Sequence, residues 1–175
     1  MTLRLLLAAL GLLACAAARA ATLPPTVTQD LARRLDDLSR GALERRDTAL
    51  CLRETFPGAV TMLGGPENAR AAMSAFFDQM AAQHVAILSH ASHPEADTTD
   101  AGPYEVLRIP EESLMQVGER RIAVSSYSLA VRRKPDGAWS FIAGSGIQKH
   151  PDVLQRLLPD LPRDFRLPPY AMRPL

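Results

Sequence analysis

The first half of the chain carries apolar residues at helical spacing, and the second half carries them in alternation. Leucines spaced by three or four positions share one face of a helix predicted over residues 26–42. Asp47 is expected to cap a short second helix that ends before Pro57. A third helix is predicted over residues 66–83, with proline at a tolerated first position. Its apolar stripe consists of Ala69, Ala72, Met73, Phe76, Phe77 and Met80.

Alternation of apolar and polar residues predicts the strands of an antiparallel sheet. Gly118 and Glu119 form a two-residue hairpin turn between two of these strands. A brief apolar run at residues 59–63 predicts a further short strand. Strands joined by turns and preceded by helices favour an α+β fold with the helices on one face of the sheet. The main strands are predicted over residues 85–91, 104–109, 114–117, 121–133 and 139–145, and a last short helix over residues 151–158.

Four short stretches carry a resemblance to a known fold. They are Thr55-Phe56-Pro57, Gly64-Gly65, the run Asp-Gly-Ala-Trp-Ser-Phe at 136–141 and the run Leu-Leu-Pro-Asp-Leu-Pro at 157–162. Together with the order of the elements, these stretches resemble a family of exported bacterial proteins. That family belongs to the nuclear transport factor 2-like superfamily, whose members include the SnoaL-like cones. The likeness covers about residues 43–168.

The resemblance implies a cone in which a curved antiparallel sheet wraps around a long amphipathic helix and leaves a cup at its wide end. We expect that helix to be the segment 66–83, with Phe76 buried against the sheet. Replacing Phe76 by alanine would then cost ~3 to 5 kcal/mol. The family commonly carries an acidic residue where this chain has Ala143. The resemblance therefore transfers no polar site, and it implies no particular activity.

The beginning of the chain has the pattern of a secretory leader. Arg4 is followed by an apolar run over residues 5–14, and Ala18-Arg19-Ala20 has the small residues of a cleavage site. We predict a signal peptide over residues 1–20, one domain over residues 21–168 and a proline-containing extended tail over residues 169–175. The protein is expected to be periplasmic or secreted. Alternatively, Leu12-Leu13-Ala14-Cys15 resembles a lipobox, which would make the protein a membrane-anchored lipoprotein lipidated at Cys15.

The charge argues against a nucleic-acid-binding protein, and the cysteine content argues against a domain stabilised by a disulfide. Two of the 20 basic residues, Arg4 and Arg19, lie in the leader, and all 19 acidic residues lie outside it, so the mature net charge is −1. A nucleic-acid-binding protein shows a basic stripe instead, and we predict no nucleic-acid partner. Cys51 alone would remain after cleavage, which excludes an internal disulfide. We expect Cys51 to be a buried small hydrophobe.

Two constellations have the form of known chemical sites. His90, His93 and Glu95 have a spacing that metal ligands can adopt, but residues three apart on a strand point to opposite faces. Ser145 lies between two glycines, as in part of a nucleophile elbow, yet it is expected to end an antiparallel strand. We predict neither a metal nor a cofactor. Isolated acid-base candidates are His84, Tyr104, Tyr127 and Asp78, and none has a partner that the sequence identifies.

The proposed cup supplies the functional prediction. Its lining is expected to include Tyr104, Tyr127, Trp139, Phe141 and His84, while catalytic residues remain unassigned. Such a cup would bind a small apolar ligand in an envelope protein that is not an enzyme. Two alternatives stay open. One is an inhibitor or immunity protein that binds an envelope protein partner, and the other is an isomerase, dehydratase or cyclase. A homodimer is compatible with each of these functions.

Overall fold

The computed structural model describes residues 21–148 and 150–175. The predicted leader and the alternative lipidation site Cys15 lie outside these residues. Within them, no helix has the length and apolar character needed to cross a membrane. The helices are α1 (Pro25–Leu43), α2 (Thr48–Glu54), α3 (Pro57–Met62), α4 (Pro66–Ala82), α5 (Gly144–Gln148) and α6 (Pro151–Leu157). The strands are β1 (Val85–Ser92), β2 (Thr99–Ala101), β3 (Tyr104–Val117), β4 (Arg120–Arg133), β5 (Ser140–Ala143) and β6 (Ala171–Pro174).

The strands form one open antiparallel sheet, so the predicted α+β class is confirmed. Its order is β1-β3-β4-β5, with β2 added to β3 and β6 added to β4. The predicted hairpin turn is also confirmed, because Val117 pairs with Arg120 across Gly118 and Glu119. The two strands predicted over residues 104–109 and 114–117 are one continuous strand, β3, which pairs with β4 along its whole length.

One face of the sheet, which we call the α1 face, is covered by α1. Side chains alternate between the faces of a strand, so every second residue of β3 and β4 points toward α1. Leu31 and Leu35 of α1 are buried in one cluster with residues of three strands. Those residues are Leu107, Ile109, Ala130 and Phe141.

The opposite face, which we call the rear face, is covered by α5, α6 and the chain that follows α6. Ile147, Leu154, Leu158 and Leu161 pack there in one cluster with Val106, Tyr127, Leu129 and Val131. The prediction that the helices occupy one face only is therefore wrong. The short helix α6 has an apolar side of its own, and the aliphatic residues of the rear face bury it.

The helix that lies on the sheet is not the predicted one. Phe76 of α4 is 51% exposed, whereas Phe77 next to it is buried. Helix α4 packs mainly on α2 and has fewer contacts with α1 and β1. The expected burial of Phe76 against the sheet is wrong, since α1 occupies the place that the sequence assigned to residues 66–83.

Two shorter segments also differ from the prediction. Residues 59–63, predicted as a strand, fall mostly in α3, which Pro57 begins at its first position. A run of five apolar residues cannot distinguish a strand from a helical turn by periodicity. The tail is extended as predicted, and it is also part of the sheet, since Met172 pairs with Val124 of β4.

Arg34 connects α1 to two other elements. Its guanidinium contacts a carboxylate oxygen of Glu54 in α2 at 2.5 Å and donates to the backbone oxygen of Trp139 at 2.8 Å. It also lies over the ring of Phe141, 5.1 Å from the ring centre. Both charged side chains are largely buried, and each one compensates the other. Loss of Arg34 would leave Glu54 with the exposed Arg53, whose Nε lies 3.5 Å from the carboxylate.

Candidate functional site

A cleft of about 360 Å³ opens on the α1 face, beside the part of the sheet that α1 covers. The second half of β3 and the middle of β4 form its floor. The last turns of α1 and the exposed side of α4 form one wall, and β6 forms another. The surface is mostly apolar, and its largest apolar side chains are Phe76, Met80, Ile87, Met115, Val124 and Met172.

Two residues of α4, the exposed Phe76 and the partly buried Met80, line this cleft. Met172, which is 59% exposed, faces the same space from β6. Large apolar side chains that stay exposed around one concavity are typical of a binding site rather than of a solvated surface.

The floor of the cleft is polar at one end. Glu111 lies there, and its side chain is 13% exposed. Ser126, its direct cross-strand partner on β4, donates a hydrogen bond to the carboxylate at 3.4 Å. Ser113 and Ser128 are the neighbouring residues on the same face of β3 and β4, and they also line the cleft. Glu111 is the only charged residue among the described residues that line it.

His90 lies behind Glu111. Its side chain is 5% exposed, with Nε2 at 3.9 Å from a carboxylate oxygen of Glu111 and Nδ1 at 3.8 Å from one of Asp36. Both distances exceed a hydrogen bond. Within the described part of the chain, neither His90 Nδ1 nor the hydroxyl of Ser92 has a hydrogen-bond partner. The polar end of the cleft thus extends into a buried cluster from β1, β3 and α1.

A β-bulge explains why the sequence pattern missed this cluster. The register of β1 shifts between Ile87 and Ser89, which places His90 opposite Ser113, on the same face of the sheet as Ile87 and Glu111. The sequence instead grouped His90 with His93 and Glu95. Glu95 is paired with Arg108 at 2.6 Å. Among the residues that the structure describes, no group of three or more His, Cys, Asp or Glu side chains is arranged to hold a metal ion.

The five predicted cup residues lie in different surroundings. Tyr127 borders the cleft from β4, but its ring packs in the cluster on the rear face, and burial raises the pKa of its phenol. Tyr104 and Trp139 line a separate groove beside Phe56. Phe141 is buried beneath α1, and His84 is exposed in the turn between α4 and β1. Of the five predicted cup residues, Tyr127 therefore borders the cleft, and the other four lie elsewhere.

The remaining candidates are placed as follows. Asp78 is exposed and pairs with Arg46 at 3.4 Å. Ser145 lies in the first turn of α5 and lines the cleft, so the expectation that it ends a strand is wrong. Cys51 is buried as predicted, and burial raises the pKa of its thiol. A thiol with a raised pKa is a weak nucleophile at neutral pH.

Compared with protein-family models, curated proteins and solved structures, the chain gives no match. The resemblance noted from the sequence therefore stays a prediction. Among the described residues, the cleft combines an apolar wall, a serine-rich floor and one carboxylate, and these features indicate what it can bind.

Proposed function

We propose that this chain is an exported cell-envelope protein whose cleft binds a small apolar ligand. The observation that carries the proposal is the convergence of Phe76, Met80 and Met172 on one cavity from two different walls. A volume of about 360 Å³ lies in the range of small-molecule sites. A ligand in this position would cover apolar side chains that the fold leaves exposed, which is favourable by roughly 25 cal/mol for each Å² buried.

We also propose that the fold is a nuclear transport factor 2-like cone, with α1 rather than α4 as the helix that crosses the sheet. Support comes from the antiparallel sheet with α1 on one face, and from a cleft that opens beside α1 on that face. This assignment makes the cleft the equivalent of the predicted cup. Superposition on an experimental structure of this chain and on cones of known structure tests it.

We propose export and cleavage after Ala20 from the pattern of the leader, and the contacts of Ala21 are compatible with this cleavage. Its backbone oxygen accepts hydrogen bonds from the amide and the hydroxyl of Thr98, at 3.0 and 3.1 Å. Thr22 donates to Asp97 at 2.7 Å, and Leu23 is buried. A chain that begins at Ala21 would keep all of these contacts. The intact mass of the protein from the envelope fraction distinguishes cleavage after Ala20 from lipidation at Cys15, and Cys15→Ala abolishes only the second.

Nile red, a neutral dye whose emission increases in apolar surroundings, tests the binding proposal. We expect the protein to enhance its fluorescence saturably, and Phe76→Asp to abolish the enhancement. Leu63→Asp is the matched control, because Leu63 is 50% exposed and lies outside the lining of the cleft. Equal loss in both variants, or no enhancement by the wild type, would contradict the proposal. In the latter case, a co-purifying envelope protein would favour the inhibitor function.

A further inference from the structure

Among the described residues, Glu111 differs from three other partly buried glutamates in having no arginine or lysine partner. Glu54, Glu95 and Glu105 each contact an arginine, at 2.5, 2.6 and 2.6 Å. Glu54 and Glu111 have the same side-chain exposure, 13%. Within the described residues, the only basic group near Glu111 is His90, at 3.9 Å. A largely buried carboxylate without a cation is costly, because desolvation is then not offset by a paired charge.

In the described part of the chain, the surroundings of Glu111 offer hydroxyl acceptors for a donor on a ligand, and no arginine or lysine that would compete with that donor. Ser126 from β4 supplies one hydroxyl hydrogen bond, and Ser113 and Ser128 flank the carboxylate on the same face. On the far side, the imidazole of His90 stands between Glu111 and Asp36. Asp36 is in turn paired with Arg40, whose side chain is largely exposed and therefore screened by solvent. The negative charge of Glu111 thus faces the cleft.

We infer that the ligand of this cleft is an apolar molecule with a primary ammonium group, which Glu111 binds as its counter-ion. This inference rests on the proposed function, because it assigns the polar end of the same cleft. An ammonium group has three donors, so it can bind the carboxylate and two serine hydroxyls together. A fatty acid with the same hydrocarbon chain as the amine would place its carboxylate next to that of Glu111, and two adjacent negative charges repel each other.

Three ligands with the same decyl chain separate the head group from the tail: decylamine, decanol and decanoate, each below its micelle-forming concentration. From the displacement of Nile red, we expect a dissociation constant for decylamine at least about tenfold lower than that for decanoate, a difference of about 1.4 kcal/mol in binding free energy. Glu111→Gln keeps the shape of the side chain and removes the charge, so the preference for the amine should disappear. Glu112→Gln is the control, because Glu112 is exposed and adjacent to Glu111 on the opposite face of β3.

Each outcome decides between the two proposals. If decanoate binds as tightly as decylamine, or if the amine preference persists in Glu111→Gln, the assignment of the ligand is overturned while the cleft remains a binding site. A preference that Glu112→Gln also removes would indicate attraction by the net charge of the surface and overturn the assignment as well. If the wild type binds neither Nile red nor any decyl compound, the proposed function fails, and this inference fails with it. The comparison of the three decyl compounds is made on the wild-type protein, so it does not depend on whether a variant folds.

Discussion

Replacing Leu31 or Phe76 by alanine tests which helix the sheet needs. Leu31 is fully buried between α1 and the sheet, so Leu31→Ala removes apolar contacts and leaves a cavity, at a cost of about 2 to 5 kcal/mol. A fully buried phenylalanine contributes about 1.5 to 3 kcal/mol by transfer alone. Because Phe76 is 51% exposed and lines an open cleft, its replacement should cost only about 1 kcal/mol.

The two variants are compared by urea unfolding of the chain that begins at Ala21, followed by far-ultraviolet circular dichroism. Equal denaturant slopes show that a change of midpoint is a change of stability. For a domain of this size, each kcal/mol shifts Tm by about 2 to 4 °C. Leu31→Ala should therefore melt well below Phe76→Ala. If Phe76→Ala is as destabilising as Leu31→Ala, α4 rather than α1 is the helix that the sheet covers, and the cleft as described does not exist.

Three further perturbations probe other parts of the structure. Arg34→Ala should destabilise the fold by about 2 to 4 kcal/mol in the same unfolding assay, because it removes the closer of two arginines that contact the largely buried Glu54 and leaves the exposed Arg53 at 3.5 Å. Arg33→Ala, at an exposed ion pair, should change stability by less than about 1 kcal/mol. Gly144→Ala should destabilise the fold strongly, because the added Cβ would clash with the backbone oxygen and the ring of Tyr127. Gly146→Ala, in the same helix, is the control, because its Cβ would enter open space. Similar melting temperatures of the two variants would contradict this packing. The hydrogen bond from Lys134 holds the pKa of Asp100 below its ordinary value. This contact therefore stabilises the fold at pH values above the ordinary pKa, and the stabilisation is lost as the pH falls through the lowered pKa of the folded state. In Lys134→Met, an NMR titration of the Asp100 carboxyl should show a higher pKa than in the wild type, and an unchanged titration would exclude the contact.

Local pattern predicted the elements well where one signal dominated. The turn at Gly118 and Glu119 and the alternation on either side specify the hairpin of β3 and β4. Asp47 caps α2 as expected, its side chain accepting from the amide of Leu50. The choice of the covering helix could not be made in the same way. Both α1 and α4 carry an apolar stripe, and only the tertiary arrangement decides which stripe meets the sheet.

The candidate site was less accessible to the sequence than the fold. The sequence placed Glu111 next to Glu112, between the strands predicted over residues 104–109 and 114–117, and glutamates in such a position are usually exposed to solvent. The character of Glu111 depends on register, which sets Ser126 opposite, and on the bulge that turns His90 toward it. That no described arginine contacts Glu111 becomes visible only by comparison with Glu54, Glu95 and Glu105 in three dimensions.

The contact between α1 and β5 constrains the order in which the chain can fold. Arg34 and Trp139 are 105 positions apart, and the cluster around Leu31 includes Phe141. During synthesis from the amino end, the leucine side of α1 therefore stays uncovered until β3 emerges, and its cover is complete only when β5 follows. Contacts between such distant positions slow folding, because the loop must close before it gains any stabilisation. A nascent chain interrupted before β3 would consequently present the apolar side of α1 to chaperones and proteases.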